Sequence, residues 1–379
     1  MPRKRFGFVI TAALLAATAA CSTAGAATAS PASAHAKPEP KPVDVLSASF
    51  VSPSTGWLLA EPACVHQAHP CTTTVLMRKT VNGGRTWSAV PAPPAPPANM
   101  FQSSPPPNSV GRLLFTSASD GWAVGAGLWR TTDGGATWHR LRVPGPLAAF
   151  TVAGGRMLGV VVHCPNVGTC TLREYAASTG EDTWRLVPGT ALTRDNGAWL
   201  AVIRQTGYLL ASQGIGKPVL LAGPVTGAAR WQSLKVPCPG LLSGALAATG
   251  GWLFLGCGNE PSAGNQLKTA YVSHDGGHTW HQVASPPTGG YLGGATMTAG
   301  GTIFLSGERM EVDTSRDRGR SWDGNSFPGG AGGLAGAGFS LVGTTVTDTF
   351  GVAVQEGVVT QQVWLTKDAG RSWTPVTIR

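Results

Sequence analysis

The sequence predicts an all-β protein built from seven similar units, and three observations support that prediction. One short motif, which ends in Trp, recurs along the 379 residues. A turn followed by an apolar run of strand length stands upstream of every closing Trp. Gly (52 residues) and Pro (29 residues) are abundant and only 12% of residues are charged, a composition that favours short strands joined by turns over long helices.

Five copies of the motif are clear: "TVNGGRTW", "TTDGGATW", "SHDGGHTW", "SRDRGRSW" and "TKDAGRSW". Two weaker copies, "STGEDTW" and "VTGAARW", keep a Gly and the Trp but have lost the Asp of the motif. The closing residues, which are 42 to 51 positions apart, are Trp87, Trp138, Trp184, Trp231, Trp280, Trp322 and Trp373. Each unit then reads as strands A, B, C and D, with the motif turn between C and D.

Four antiparallel strands repeated seven times predict a seven-bladed β-propeller of four-stranded blades. A long solenoid is the alternative architecture. It needs atypical capping repeats, and the sequence shows none.

The residue types of the motif suit a tight turn rather than catalysis. An Asp side chain accepts hydrogen bonds from its own turn, Gly permits a positive φ, and Trp buries a large apolar surface. In the first copy Asn82 stands in for the Asp. The predicted structural residues are Asn82, Gly84, Trp87, Asp133, Gly135, Trp138, Asp275, Gly277, Trp280, Asp317, Gly319, Trp322, Asp368, Gly370 and Trp373.

The N-terminal segment predicts export. Residues 1–20 combine the basic "MPRKR" with an apolar stretch, and the small residues before Cys21 resemble a bacterial lipobox, in which that Cys is lipidated. Ordinary secretion with cleavage after Ala36 is the alternative. Residues 21–42 are a low-complexity, disordered tether. We therefore expect a cell-membrane lipoprotein that faces the extracellular or periplasmic side.

Residues 43–379 are predicted to form the propeller, with blades ending near 90, 142, 187, 236, 283, 327 and 379. Six Cys remain besides Cys21, and an even number in an exported chain predicts disulfides. Fifteen connectivities are possible. Proximity in sequence favours the pairs Cys64–Cys71, Cys164–Cys170 and Cys238–Cys257.

The loop "CVHQAHPC" contains His66 and His69 between Cys64 and Cys71, and all four could bind zinc. Their spacing does not match common zinc motifs, so a disulfide-closed loop is favoured and no metal or cofactor is predicted. The net charge of +9 is spread along the chain, which argues against nucleic-acid binding.

Alternating strand direction predicts that the A–B and C–D turns share one face of the ring. The opposite face then carries the long insertions "EPACVHQAHPC", "VPAPPAPPANMFQSSPPPNS" and "CGNEPSAGNQLK", where binding residues are expected. The turn face carries a rim of cations, which we interpret as solvated turn surface. These cations are Arg85, Arg316, Arg318, Arg320, Lys367 and Arg371.

The motif resembles the Asp-box, or BNR repeat, S/T-x-D-x-G-x-T-W. Its combination with an upstream "GW", as in "TSASDGWAVGAGLWRTTDGGATW", resembles the photosystem II assembly and stability factor propellers. More distant resemblances are to sialidase and sortilin-type propellers. The first resemblance implies a non-catalytic propeller that binds a partner protein. Sialidase chemistry is not predicted, because the early arginine motif of that family is missing.

The sequence thus predicts a propeller that binds an unidentified protein, peptide or glycan without catalysis and that contacts the membrane only through a lipid anchor. An exo-sialidase-like glycoside hydrolase of the cell surface is the alternative.

Overall fold

The computed structural model describes residues 43–62, 74–98, 106–164, 170–194, 197–212, 218–241, 243–262, 265–287, 289–307, 311–326, 339–340, 347–355 and 362–378. They all belong to one compact unit, Lys41–Arg379. The predicted signal peptide, Cys21, the tether and the Cys64–Cys71 loop lie outside these residues. Across the described ranges, no helix has the length and apolar character needed to cross a membrane.

Seven antiparallel sheets follow one another along the chain. Blade one contains β1 (Val43–Phe50), β2 (Gly56–Pro62), β3 (Leu76–Thr80) and β4 (Ser88–Val90). Blade two contains β5 (Val110–Phe115), β6 (Gly121–Gly125), β7 (Leu128–Thr131) and β8 (His139–Leu141). Blade three contains β9 (Leu147–Ala153), β10 (Arg156–His163), β11 (Cys170–Ser178), β12 (Arg185–Leu186) and β13 (Leu192–Arg194).

The other four blades repeat the same order. Blade four contains β14 (Ala198–Ile203), β15 (Thr206–Ser212), β16 (Pro218–Pro224) and β17 (Gln232–Leu234). Blade five contains β18 (Ser243–Thr249), β19 (Trp252–Ser262), β20 (Asn265–Ser273) and β21 (His281–Gln282). Blade six contains β22 (Leu292–Met297), β23 (Ile303–Gly307), β24 (Glu311–Ser315) and β25 (Asp323–Ser326). Blade seven contains β26 (Phe339–Ser340), β27 (Gly351–Gln355), β28 (Gln362–Thr366) and β29 (Thr374–Thr377).

The second strand of each blade carries most of the core. In β6 the side chains of Trp122, Ala123 and Val124 are buried, whereas His139 and Arg140 on the outer strand β8 are exposed. The second strand lies between two blades and is covered on both faces, so its sequence is a continuous apolar run. These runs are the ones that follow each upstream turn in the sequence.

The first strands of the sheets lie closest to the ring axis. In several neighbouring pairs of blades the two first strands contact each other, as β1 and β5 do. Between these two strands the hydroxyl oxygens of Ser47 and Ser49 accept hydrogen bonds from the backbone N–H groups of Leu113 and Phe115, both at 2.9 Å. Adjacent blades are therefore joined by polar contacts near the axis as well as by apolar packing.

The A–B and C–D turns meet at one end of the ring, as the alternation of strands predicts. In blade one the N–H of Gly83 donates to the carbonyl of Ser54 at 2.8 Å. In blade two the N–H of Gly134 donates to the carbonyl of Ser119, also at 2.8 Å. We call this end the Asp-box face.

The ring closes by packing rather than by strand exchange. Each sheet contains consecutive strands, so none of the described strands is shared between blades one and seven. Phe50 of blade one instead packs on Phe350 of blade seven, with ring centroids 5.4 Å apart. Val352 and Leu365 of blade seven belong to the same buried cluster as Leu58 of blade one.

Two details differ from the sequence-based expectation. Blade three has a fifth strand, β13, which pairs with the first residues of β11. The strand β12 pairs with later residues of the same edge of β11. The stretch "CGNEPSAGNQLK" was expected to be a long loop with Cys257 at the end of strand B. Most of it is instead an extension of the β19–β20 hairpin, with a register shift between Gly258 and Pro261, and Cys257 lies inside β19.

The Pro-rich insertion between blades one and two is also more ordered than expected. In its described part Ala95 is buried. The N–H of Ala98 donates to the carbonyl of Val110 at 2.8 Å, and the N–H of Val110 donates to the carbonyl of Pro96 at 2.9 Å. This segment therefore lies against the start of β5 instead of forming an open binding loop.

Each clear Asp-box turn contains two successive residues with positive φ. In blade two these are Gly134 and Gly135, with φ values of 71° and 92°. In blade seven the first of the two is Ala369, with φ of 58°. Blade six has Arg318 at the same position, with φ of 61°. A residue with a Cβ is strained in this left-handed region by about 1–2 kcal/mol, so the turns of blades six and seven are less favourable than those with two Gly residues.

We predict that Ala369→Gly raises the free energy of unfolding by about 0.5–1 kcal/mol. The change relieves the left-handed strain, and the greater flexibility of Gly in the unfolded chain offsets part of the gain. Urea denaturation at neutral pH measures the difference. Gly134→Ala is the opposite control and should destabilise, because its Cβ would lie 2.6 Å from the carbonyl oxygen of Ala118. A less stable Ala369→Gly variant would contradict the strain argument.

Candidate functional site

The Asp of each motif acts as a staple within its own turn. In blade two Asp133 Oδ1 accepts hydrogen bonds from Thr131 Oγ1 at 2.7 Å and from the N–H of Thr137 at 2.9 Å. Its second oxygen accepts one from Thr137 Oγ1 at 2.6 Å. The same three kinds of bond recur at Asp275, Asp317 and Asp368. Both carboxylate oxygens of each Asp are thus engaged in hydrogen bonds within their own turn.

Asn82 performs the same task in blade one. Its Oδ1 accepts hydrogen bonds from the N–H of Thr86 at 2.9 Å and from Thr80 Oγ1 at 3.0 Å. Its Nδ2 donates to Thr86 Oγ1 at 2.7 Å, where an Asp would accept. A neutral side chain therefore suffices for the turn.

The first hydroxyl of the motif is a structural residue that was not among the predicted ones. Thr131 Oγ1 accepts a hydrogen bond from the N–H of Gly135 at 2.9 Å while it donates to Asp133. It is completely buried. The equivalent buried hydroxyl residues are Thr80, Ser273, Ser315 and Thr366. The recurrence of Ser or Thr two positions before the Asp was the signal that pointed to them.

These carboxylates are poor candidates for acid–base catalysis at neutral pH. Hydrogen bonds from Ser372 lower the pKa of Asp368 to about 2, and bonds from Thr137 and Thr279 hold the pKa values of Asp133 and Asp275 far below the usual range. A general acid needs a pKa near the working pH. The staples also lie on separate blades, so they do not form one site.

The closing Trp residues join neighbouring blades. The indole N–H of Trp138 donates to the carbonyl of Pro91 in the preceding blade at 3.1 Å, and that of Trp322 donates to Ala284 at 2.9 Å. Trp184, in a copy that has lost the Asp, donates to Arg142 at 2.8 Å. Trp231, in the other copy without the Asp, donates to the carbonyl of Pro224 in its own blade at 3.3 Å and is buried in the apolar cluster between blades three and four.

Part of the cationic rim is used to hold turns of the Asp-box face. Arg316 donates from Nε to the carbonyl of Ala369 in the next blade at 2.8 Å and pairs with Asp323. The guanidinium of Arg318 lies 5.0 Å from the ring of Trp252, and Arg371 donates to the carbonyl of Asp368. Within the part of the chain that the structure describes, Arg85, Arg320 and Lys367 make no such bond and remain open to a partner.

Two of the three expected disulfides are present. Cys164 is joined to Cys170 between β10 and β11, and Cys238 is joined to Cys257. The third expected pair, Cys64–Cys71, lies outside the described residues together with His66, His69 and the lipidation candidate Cys21. Among the described residues no cluster of three metal-binding side chains occurs.

Glu174 on β11 is a buried carboxyl group without a partner. Its side chain is fully buried beside the apolar cluster between blades three and four, and neither carboxyl oxygen has a hydrogen bond. Burial raises the pKa of this group well above its ordinary value. Burial therefore favours the neutral, protonated form of Glu174, and its side chain is not exposed to solvent.

A buried ion pair crosses the contact between blades five and six. Lys268 Nζ lies 3.6 Å from Asp313 Oδ2 and donates to the carbonyl of Gly289 at 2.5 Å. Burial lowers the pKa of Lys268 and raises the pKa of Asp313 to about 7. Both side chains are nearly inaccessible, so the pair is a buried polar contact between the two blades.

A groove of about 840 Å³ lies where blade seven meets blade one, and we call it the seam groove. Its lining consists of Gly83, Gly84, Arg85, Thr86, Trp87, Leu365, Lys367, Asp368, Ser372, Thr374, Pro375, Val376 and Thr377. Val376 provides a partly exposed apolar surface above the buried Leu365, the hydroxyl side chains are polar, and Arg85 and Lys367 are cationic. Long B–C insertions were expected to carry the binding site, but this groove lies between an Asp-box turn and an outer strand.

The seam groove offers recognition groups but few catalytic ones. Asp368 is the one carboxylate among its described lining residues, and its oxygens are already bonded to Ser372 and Thr366. No His, Cys, Glu or Tyr is found among these lining residues. The groove therefore lacks a pair of groups that could exchange protons with a substrate near neutral pH.

We predict that the Asp368→Asn variant loses less stability than the wild type as the pH falls. The folded pKa of Asp368 is about 2, below that of an unfolded Asp, so its stabilising effect is present above about pH 4 and is lost as the pH falls toward 2. Asn keeps the turn, as Asn82 does, but does not titrate. Chemical denaturation between pH 7 and pH 2 should show the two curves converging at low pH.

Asp368→Ala is the matched control for this variant. It removes the staple and should cost about 1–2 kcal/mol at neutral pH. Parallel pH curves for wild type and Asp368→Asn would show that the carboxylate has no shifted pKa.

We predict the opposite pH dependence for Glu174→Gln. The folded pKa of Glu174 is raised, so the wild type is most stable relative to the variant near pH 4 and loses up to about 1.4 kcal/mol per pH unit as the pH rises toward that folded pKa. Denaturation midpoints from pH 4 to pH 8 measure this difference in stability.

Glu174→Leu, which also removes the buried polar group, should add a pH-independent gain of about 1–3 kcal/mol. A constant difference between wild type and Glu174→Gln would refute the assignment.

Comparisons with known proteins agree with the repeat and the fold. The family model of the BNR/Asp-box repeat matches residues 271–282, which include Asp275 and Trp280. No curated protein is significantly similar in sequence.

The solved structures that are similar in fold include two of the protein YCF48. YCF48 from Cyanidioschyzon merolae has a TM-score of 0.54 and 14% identity, over 88% of this chain and 98% of that one. The second, titled YCF48 bound to D1 peptide, has a TM-score of 0.48 and 15% identity, over 90% of this chain and 95% of that one. The protein is thus a seven-bladed β-propeller that carries Asp-box repeats.

Proposed function

We propose that this protein is an exported, lipid-anchored propeller that binds a protein or peptide partner in the seam groove without catalysis. The observation that carries the proposal is the lining of that groove. It combines two free cations with an apolar surface and hydroxyl groups, and its described carboxylate, Asp368, already accepts three hydrogen bonds within its own turn.

The lining indicates the chemistry of the partner. Val376 suits an apolar side chain, and Arg85 and Lys367 suit carboxylates beside it. The wall strand β29 contains Pro375, which has no N–H group and discourages pairing with an added strand. Recognition therefore depends on side chains of the partner. A glycan is the other class of ligand that the sequence analysis left open.

Export and lipid anchoring are part of this proposal and rest on the N-terminal sequence. The basic start, the apolar stretch and the small residues before Cys21 are typical of a lipoprotein signal. A tether of about twenty residues would then hold the ring away from the membrane. Mass spectrometry of the mature protein would show a lipid-modified Cys21, whereas an N-terminus after Ala36 would indicate free secretion.

One observation favours the alternative, a glycoside hydrolase. Asp44 on β1 lies directly opposite Glu61 on β2. Burial raises the pKa of Asp44 to about 6, and burial together with the charge of Asp44 raises the pKa of Glu61. Glycoside hydrolysis uses two carboxyl groups with separated pKa values. Hydrolysis of a fluorogenic glycoside that disappears in Asp44→Asn would support this alternative.

Site-specific photocrosslinking in the producing cells tests the binding proposal. A photoreactive amino acid at Thr374, in the seam groove, should give one discrete crosslinked partner. The same probe at Leu186, an exposed position on blade three, serves as the matched control and should give none. Arg85→Glu combined with Lys367→Glu should abolish the crosslink from Thr374, because the partner would lose its cationic contacts.

Arg320→Glu reverses an exposed cation outside the groove and should leave the crosslink intact. Thermal unfolding of each purified variant shows whether the ring is still folded. Equal crosslinking at Thr374 and Leu186, or a crosslink that survives the double charge reversal, would disprove the seam groove as the binding site.

A further inference from the structure

A second groove, of about 500 Å³, lies at the end of strand β8, where blade two leads into blade three. We call it the blade two groove. Its lining consists of Pro107, Asn108, Ala126, Gly127, Arg140, Leu141, Arg142, Val143, Gly145 and Pro146. It shares no residue with the seam groove.

The charge of this groove has one sign. Arg140 and Arg142 both line it and both are exposed, and none of its described lining residues is acidic. A nearby carboxylate, Asp182, accepts the backbone N–H of Arg142 at 3.2 Å and so is engaged with the main chain. The guanidinium of Arg142 makes no bond to any described residue. The lining residues of the groove therefore carry net positive charge, which the carboxylate of Asp182 beside them offsets in part.

Arg140 is held in position before any ligand binds. Its guanidinium donates to Asn108 Oδ1. Asn108 has a positive φ of 61°, and Gly127 packs so closely that a Cβ there would lie 2.6 Å from the carbonyl oxygen of Asn108. A guanidinium has five N–H donors, so most of them stay available after the bond to Asn108. Such preorganisation lowers the entropy cost of binding.

The spacing of the two cations fits an extended acidic peptide. Arg140 and Arg142 are two residues apart at a strand end, a separation on the order of 7 Å along an extended backbone. Carboxylates at alternate positions of an extended peptide have the same separation. The apolar side chains of Pro107, Val143 and Pro146 stand beside the cations and suit apolar residues between the acidic ones.

We propose that the blade two groove binds an acidic peptide segment in extended form, with two carboxylates on Arg140 and Arg142. This proposal is independent of the seam groove, because no residue is common to the two. Arg142 supplies the free guanidinium, and Arg140, fixed by Asn108, supplies the oriented one.

Fluorescence anisotropy with a defined probe tests the proposal on the full chain. The probe is a fluorescein-labelled peptide with three Leu–Glu pairs, and its matched control has Gln in place of every Glu. We expect the Glu peptide to bind at least about tenfold more tightly than the Gln peptide at low salt, and to weaken as salt increases. Arg140→Gln and Arg142→Gln should each weaken binding about fivefold or more.

Arg142→Gln is the decisive variant, because its guanidinium makes no hydrogen bond or ion pair to a described residue and its loss should leave the fold unchanged. Arg320→Gln is the matched control and should bind the probe like the wild type. Equal binding of the two peptides, unchanged affinity in Arg142→Gln, or binding of anionic lipid vesicles without binding of the peptide would each overturn the proposal.

Discussion

The staple of each Asp-box turn is the interaction on which the rest of the ring depends. A buried hydroxyl holds the N–H of the motif Gly, and the adjacent carboxylate holds the residues that lead into the outer strand. Together they keep two successive residues in the left-handed region, which few L-residues adopt unaided. The turn then presents its carbonyl to the neighbouring blade, as when Trp57 donates to the carbonyl of Gly134 at 2.9 Å. Local turn chemistry is in this way converted into contacts between blades.

Contacts between blades also explain where the polar groups of the core are found. Most blade interfaces are apolar clusters, but Glu174 lies beside one and the Lys268–Asp313 pair lies inside another. Burial of such groups costs free energy unless they are paired or neutral. Burial raises the pKa of Glu174 and so favours its neutral form, and Lys268 is paired. The staples have depressed pKa values and the buried acids have raised ones, so we expect stability to fall at both ends of the pH range.

The two grooves have a common origin in the way blades meet. Each blade narrows toward its short outer strand, so adjacent blades separate at the rim and leave clefts beside the last strand of a blade. In both clefts the cations come from turns or strand ends, which the scaffold holds rigidly. Binding groups on a rigid scaffold need little ordering when a partner arrives. The carboxyl groups with raised pKa values lie away from both grooves, on blades one, three and six.

The amino-acid sequence by itself determined the repeat number, the strand order within a blade and the turn residues. Each of these is local, because Asp133, Gly135 and Trp138 lie within six residues and act largely at one Asp-box turn. The sequence also pointed to two disulfides between nearby Cys residues, and the structure contains them. Tertiary structure alone decided the rest. Arg85 and Lys367 are far apart in sequence and meet only because the ring closes, and Glu174 is indistinguishable in sequence from a surface acid. Such properties depend on which blade packs over each residue, and no local sequence pattern encodes that.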